Sequence, residues 1–235
     1  GTNFVGWQIQ SKGKSIQKSI QIKLSKLLKE KVSLIGSGRT DTGVHAIEQS
    51  AHFDSKKEIQ NLGKFLKSIN HFVNDMSISI INIKKRNIHF HARFSAKQRV
   101  YKYIIFNRLS RPSIEKERGW HIIKKLDISL MKKGAKKLLG TKDFSTFRSS
   151  SCSAKSPIRT MRSIKIKSIK GRIEIQFKSQ SFLQQQVRSM VGCLKYLAEK
   201  KWDLKKFDFV FKSKKRIFCA PPAPAEGLFL EKVIY

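Results

Sequence analysis

The chain has 235 residues, 40% of them hydrophobic, enough to bury a core as one large domain or two small ones and too many for a disordered chain. Lys and Arg number 50 against 16 Asp and Glu, a formal net charge of +34, and although an AT-rich genome enriches lysine it does not remove acids. The imbalance therefore points to a polyanion bound in a salt-sensitive way, nucleic acid before a membrane surface, and no apolar run approaches the roughly 20 residues that cross a bilayer.

In chain order, Ser15 predicts the N-cap of a helix with the apolar stripe Ile16, Ile20, Leu24, Leu27 and Leu28. Lys18, Lys23, Lys26 and Lys29 lie mostly off that stripe and make a basic solvated face. Val32 to Ile35 predicts a short strand that delivers a glycine-rich loop, and Gln49 to Phe53 predicts another strand. Ile59, Leu62, Leu66, Ile69 and Val73 repeat at helical spacing, and Ser77 to Ile83 alternates as a strand does. A second unit begins near Phe94. Val100 to Phe106 is rich in β-branched and aromatic residues and predicts a strong strand. Leu126 to Leu139 predicts a helix closed by Gly140. Ile164 and Ile166, then Ile173, Ile175 and Phe177, alternate across a Lys170-Gly171 turn as a β-hairpin with one buried face. Phe182 to Leu197 predicts a helix with Val187, Met190, Val191, Leu194 and Leu197 inward. Pro221, Pro222 and Pro224 read as a rigid linker before a closing strand, Leu228 to Ile234. Helices on one face of a largely antiparallel sheet make the class α+β.

The glycine-rich loop reads Gly36-Ser37-Gly38-Arg39-Thr40-Asp41-Thr42-Gly43-Val44-His45-Ala46. Glycines permit a tight loop in which backbone approaches a ligand closely. Arg39, two residues before Asp41, is placed to hold its carboxylate ionised and aimed. An ionised aspartate suits nucleophilic attack or charge stabilisation. An Asx-turn closing its own loop is the other reading, and spacing alone leaves both open. Cys152, Cys193 and Cys219, without a Cys-x-x-Cys pair, fit reduced thiols in cytoplasm rather than a disulfide framework. His89 and His91 would share one strand face, but no Cys or carboxylate lies near them in sequence, so no metal site is expected. Asp143 reads as a structural carboxylate before a second acid, Phe144, Phe147 and Phe182 read as core before base-stacking platforms, and Tyr103 reads as a plain core or surface residue.

Gly38 through Ala46 resembles the active-site motif of the tRNA pseudouridine synthase A family. Three further stretches resemble that family in order and approximate spacing: Gly1-Thr2-Asn3-Phe4-Val5-Gly6-Trp7-Gln8, its opening motif; Arg99-Val100-Tyr101-Lys102-Tyr103, its tyrosine-bearing strand; and Phe182 to Gly192, its late helix with Val187-Arg188 inside. The resemblance implies two similar α/β halves, residues 1–94 carrying the Asp41 loop and residues 95–235 completing a basic cleft, with joined sheets. It implies a cytoplasmic homodimer with tRNA as partner. It also implies isomerisation of uridine to pseudouridine in the anticodon arm, at about positions 38 to 40, after the nucleotide leaves its stack. The reaction is an isomerisation, so no cofactor and no metal is expected.

By position Asp41 is the family's catalytic aspartate, and Arg39 and Arg188 are the cations expected around it, as an ion pair or as a clamp on the neighbouring phosphate. Tyr101 is expected to stack on the target base and handle the proton at C5. Lys97, Arg99 and Lys102 are expected at phosphates. The family has a strand before the position of Gly1, so a fragment of a longer protein with an empty sheet position is expected. Another tRNA position or another RNA, or RNA binding without catalysis, are the alternatives.

Overall fold

The structure, a computed structural model, describes residues 1–235. In chain order the elements are α1 (Ile16–Leu28), β1 (Ile35–Gly36), β2 (His45–Ala46), β3 (Ala51–His52), α2 (Leu62–Val73), β4 (Gln98–Phe106), β5 (Trp120–His121), α3 (Ile128–Lys137), β6 (Gly140–Asp143), β7 (Ile158–Ile169), β8 (Arg172–Ser179), α4 (Gln186–Ala198), α5 (Leu204–Lys212) and β9 (Leu228–Ile234). The fold is α+β with a mainly antiparallel sheet. Its seven strands run β2-β9-β4-β8-β7-β6, with β5 beside β4, while β1 and β3 pair only with each other.

Local chemistry accounts for most of the helix starts. The side chains of Ser15, Asn61, Asp127 and Asp203 accept from Lys18, Lys64, Leu130 and Lys206 N–H groups as N-caps of α1, α2, α3 and α5. α4 differs: its N-cap Gln185 sits at φ +60° without a side-chain cap, so the helix starts at Gln186 and not at Phe182. Lys170 and Gly171 take φ +47° and +75°. That geometry closes the β7–β8 hairpin in the twist sense of its strands. Along β8 every second side chain is buried, including Ile173, Ile175 and Phe177. Each contributes about 1.5–3 kcal/mol on burial.

Two hydrophobic clusters form. The smaller joins Trp7, α1, Val32, Leu34 and α2. The larger fills the space between the sheet and α3, α4 and α5, and its one member from the first 94 residues is Val44, 3% exposed. Val44 adjoins β2, which pairs in parallel with β9 through His45 and Phe229. The glycine-rich loop thus enters the C-terminal sheet at its edge.

Further expectations change. Ser77 to Ile83 forms no ladder strand; Ile78, Ile80 and Ile83 pack on the smaller cluster, and the Asn70 amide takes the place of a neighbouring strand at Ile80, donating to its carbonyl at 2.9 Å and accepting its N–H at 2.7 Å. An apolar groove of about 960 Å³ lies along this segment, between it and β3. His89 lies in a turn and His91 just before one, neither on a strand, and no three His, Cys, Asp or Glu side chains converge anywhere as metal ligands would. The proline segment is not a free linker. Ala220 and Ala223 are buried, and Pro221 O lies against α4 at Gly192, where a Cβ would meet it at 2.1 Å.

Gly192→Ala therefore sets a gain in helix propensity of about 1 kcal/mol against a backbone clash that overpacking makes worth roughly 1–3 kcal/mol. Because the blocking atom is a carbonyl held on both sides by proline, the clash wins. The thermal midpoint of Gly192→Ala is expected to fall by several degrees, about 2–4 °C per kcal/mol for a chain of this size. A midpoint at or above that of the parent in differential scanning calorimetry would contradict this packing.

Candidate active site

The loop before β2 is fixed from three directions. From the N-terminal segment, Trp7 N donates to Thr40 O at 3.1 Å and Thr42 Oγ1 donates to Val5 O at 3.0 Å. Gly6 allows this approach: it sits at φ +110°, and a Cβ there would stand 2.5 Å from Thr40 O. From β3 and its approach, Ser37 N donates to Ser50 O at 2.8 Å and Gln49 Nε2 to Gly38 O at 3.0 Å. From β4 comes Arg99, 8% exposed, whose Nε and Nη2 both donate to Ser37 O at 3.2 and 2.7 Å. The same guanidinium reaches Arg93 O at 2.7 Å and Gln180 O at 2.6 Å. A charge-assisted fork of this kind fixes three carbonyls in one plane. Arg99 is thus a buried brace and not a phosphate contact. The alternation of β4 puts Arg99, Tyr101 and Tyr103 on the inward face and turns Lys102 to the other.

Asp41, Tyr101 and Arg188 come together here; Arg39 does not join them. The Asp41 carboxylate is one-third exposed, and its cationic neighbour is Arg188 Nη1 at 3.7 Å. At that distance the pair attracts without a hydrogen bond, so the carboxylate oxygens stay free to meet a ligand. Arg39 is exposed and makes no ion pair. Two residues along this loop carry a side chain away from Asp41, and proximity in sequence misled the expectation. Arg188 is held from behind: its Nε donates to Ala223 O at 2.7 Å and Ala223 N donates back to Arg188 O at 3.0 Å. The proline strip, short of N–H groups, offers its carbonyls as acceptors, and Pro224 O takes the Tyr103 hydroxyl at 2.8 Å. Tyr103 is structural.

The Tyr101 hydroxyl has no partner within the chain. It faces Gly38, where a Cβ would lie 3.9 Å from it and 3.8 Å from Arg99 Nε. Burial pushes its phenol up to about 12, Arg99 opposing and the Asp41 charge reinforcing the shift. The Phe182 ring meets Tyr101 edge-on at 5.1 Å between centroids. Sequence reading left Phe182 in the core and Arg99 on the surface. The β4 alternation could have placed Arg99 beside Tyr101, but no local signal places Phe182 there. Asp143 stands on β6, at the far edge of the sheet from β2. Burial pushes its carboxyl up, but hydrogen bonding to Ser145 and the Lys214 charge outweigh this and lower it.

Burial raises the Asp41 carboxyl above its ordinary 3.8, and the Arg188 charge opposes this without cancelling it. The folded value therefore exceeds the unfolded one. Relative to a neutral side chain, ionised Asp41 costs stability as pH rises through the folded value, and nothing below the unfolded value. Carbon-detected NMR titration is expected to give a midpoint above 3.8 for Asp41, moved higher still in Arg188→Gln. Asp41→Asn is expected to raise the thermal midpoint more at pH 7 than at pH 3. An unchanged Asp41 midpoint in Arg188→Gln would remove Arg188 as the charge that acts on it.

The sequence profile described as tRNA pseudouridine synthase matches residues 1–95 and 135–235. The chain is similar, with 85% identity over 235 residues, to the tRNA pseudouridine synthase A of Pelagibacter ubique (strain HTCC1062), covering all of this chain and 96% of that protein. It is 36% identical over 235 residues to the proteins of the same name from Parvibaculum lavamentivorans and Maricaulis maris, covering 95% and 94% of them. The matched regions include the Asp41 loop, the N-terminal segment that braces it and the α4–proline strip that holds Arg188, and on these grounds the chain belongs to the tRNA pseudouridine synthase family.

Proposed function

We propose that this chain isomerises uridine to pseudouridine in tRNA, with Asp41 as the catalytic carboxylate and Tyr101 and Arg188 binding the target nucleotide. The observation that carries this is the convergence of a half-buried, hydrogen-bond-free carboxylate, a fixed guanidinium and an unpartnered phenol from three separate elements. The reaction breaks the bond from ribose C1′ to N1 and makes one from C1′ to C5. A proton leaves C5 and another reaches N1, so nothing is gained or lost overall. Asp41 meets the sugar as the first bond breaks, by adding to it, stabilising its positive charge or removing its proton. All three routes need the ionised carboxylate, which Arg188 favours against burial. Tyr101, protonated at neutral pH, donates to the freed base and relays a proton rather than acting as a standing base. Its ring, 8% exposed in the free chain and met edge-on by Phe182, is assigned the stacking role at the base by the family resemblance. Arg39, exposed on the same loop, is free to meet the phosphate beside the flipped nucleotide.

The finer reading, taken from the family resemblance, places the target in the anticodon arm, at about positions 38 to 40, where the nucleotide must leave its stack. It takes residues 1–94 and 95–235 as two halves of a basic cleft, in keeping with the two hydrophobic clusters. It takes the protein as a cytoplasmic homodimer that contacts one tRNA with both subunits; no helix is long and apolar enough to cross a membrane.

Asp41→Asn is expected to abolish pseudouridine formation on tRNA while its affinity stays within about twofold. Residual turnover within about tenfold of wild type, equivalent to roughly 1.4 kcal/mol of barrier, would remove Asp41 from the chemistry. Tyr101→Phe separates hydroxyl from ring: it is expected to bind tRNA normally and to slow the single-turnover step, by the 10²–10⁴-fold typical of a lost proton-transfer group. Tyr101→Leu is expected to lose affinity as well. Wild-type single-turnover rates in both variants would take Tyr101 out of the site.

A further inference from the structure

One large aromatic side chain near the site contributes little to the fold. Phe94 is 75% exposed. A ring so open adds little to stability, yet the turn that carries it is closely held. His91 Nδ1 accepts from Arg93 N and Phe94 N at 3.1 and 3.3 Å, and Ser95 N donates to His91 O at 2.9 Å. Ala92, fully buried, donates to His52 Nδ1 at 3.1 Å and accepts the Tyr235 hydroxyl at 2.9 Å. Arg99 completes the hold through Arg93 O at 2.7 Å. Because the same guanidinium binds Ser37 O, the turn and the Asp41 loop are fixed relative to each other.

The exposed ring is also backed and charged. The His91 ring lies against it at 4.4 Å between centroids, tilted by 33°, and the Arg93 guanidinium stands over it at 5.5 Å. Ile88, Leu109 and Ile114 are more exposed, but they are aliphatic and have no π-face to offer a base. An aromatic face with a guanidinium beside it suits a nucleobase, which has its own π-face and a phosphate next to it. Extruding a nucleotide from its stack also strips stacking from its neighbour, and a preorganised ring at the rim can restore it.

We propose that the turn Ala92–Ser95 presents Phe94 as a stacking platform for an unpaired base of the RNA substrate, next to the nucleotide that enters the Asp41 site, with Arg93 on the adjoining phosphate. This rests on the reading that the substrate is RNA. The platform needs no new fold around it: its entropy cost is met by bonds already present in the free protein.

The test is a series at position 94 in the Asp41→Asn background, so that binding is read without turnover. The probes are unfractionated tRNA and a short RNA stem-loop with uridines in its loop. Phe94→Trp is expected to bind as tightly as the parent. Phe94→Leu and Phe94→Ala are expected to bind about tenfold more weakly, within the range for one lost stacked base, with thermal midpoints unchanged because the side chain is exposed. Ultraviolet irradiation of the parent complex is expected to crosslink a nucleotide to the peptide containing Phe94. Parent-like affinity in both Leu and Ala, or in Leu alone, would overturn the proposal, the second outcome pointing to apolar contact such as a protein partner. Pseudouridine formation by the wild-type chain is measured separately. Its failure would strike the reaction assigned to Asp41 and leave the affinity series to judge Phe94.

Discussion

The arrangement around Asp41 depends on a cation that never meets an anion. Arg99 is buried without a carboxylate partner, and its guanidinium is satisfied by the carbonyls of Ser37, Arg93 and Gln180. Burying such an ion costs several kcal/mol, and hydrogen bonds from a charged donor return about 1.5–3 kcal/mol each. The two terms are of similar size, so the effect of Arg99 is geometric more than energetic. A planar fork fixes three chain segments at once, and a lysine ammonium has no such geometry. Those segments lead to Asp41, to Phe94 and to Phe182. Burial lowers the pKa of this guanidinium, as expected for a charge held only by dipoles.

A second brace acts on the opposite side. Helix α4 approaches the proline strip closely enough that only glycine fits at position 192. This contact lets the Arg188 side chain reach Ala223 O and still face Asp41. Burial of Asp41 opposes its ionisation and Arg188 favours it, with burial the larger effect. The fold thus keeps a carboxylate whose charge is not fully compensated. Active sites commonly tolerate this kind of cost, because full pairing would leave no free oxygen for a substrate. Tyr101 follows the same logic, with a hydroxyl that no other group of the chain uses.

The charge of the chain works at a different range. Seven lysines and arginines take part in ion pairs, which leaves most of the 50 cations unneutralised. Arg99 and Arg188, both largely buried, serve the site. The exposed remainder gives a positive potential that concentrates a polyanion and positions it through its phosphates, without reading its sequence. Within about 8 Å at physiological salt this field is felt; beyond that, the shape of the surface decides.

Sequence by itself determined what short-range rules govern. The cap residue Ser15, the β8 alternation, the Lys170-Gly171 turn and the span of β9 follow from neighbours within a few positions, and the structure keeps them. The α+β class followed from the same patterns, and the loop motif pointed to Asp41. Only the tertiary structure decided which cation faces that carboxylate. Arg39 is two residues away in sequence and points to solvent, whereas Arg188 arrives from a helix 147 positions later because the proline strip holds it there. Arg99 was misread for the same reason, and Phe182, packed against the core as expected, also meets Tyr101. A side chain's role there depends on which carbonyls and rings surround it after β4, β8 and the loop have packed, and no local spacing encodes that. Ser77 to Ile83 shows the converse limit: alternation sets which side chains turn inward, but a strand also needs a partner edge, and only the assembled fold supplies or withholds one.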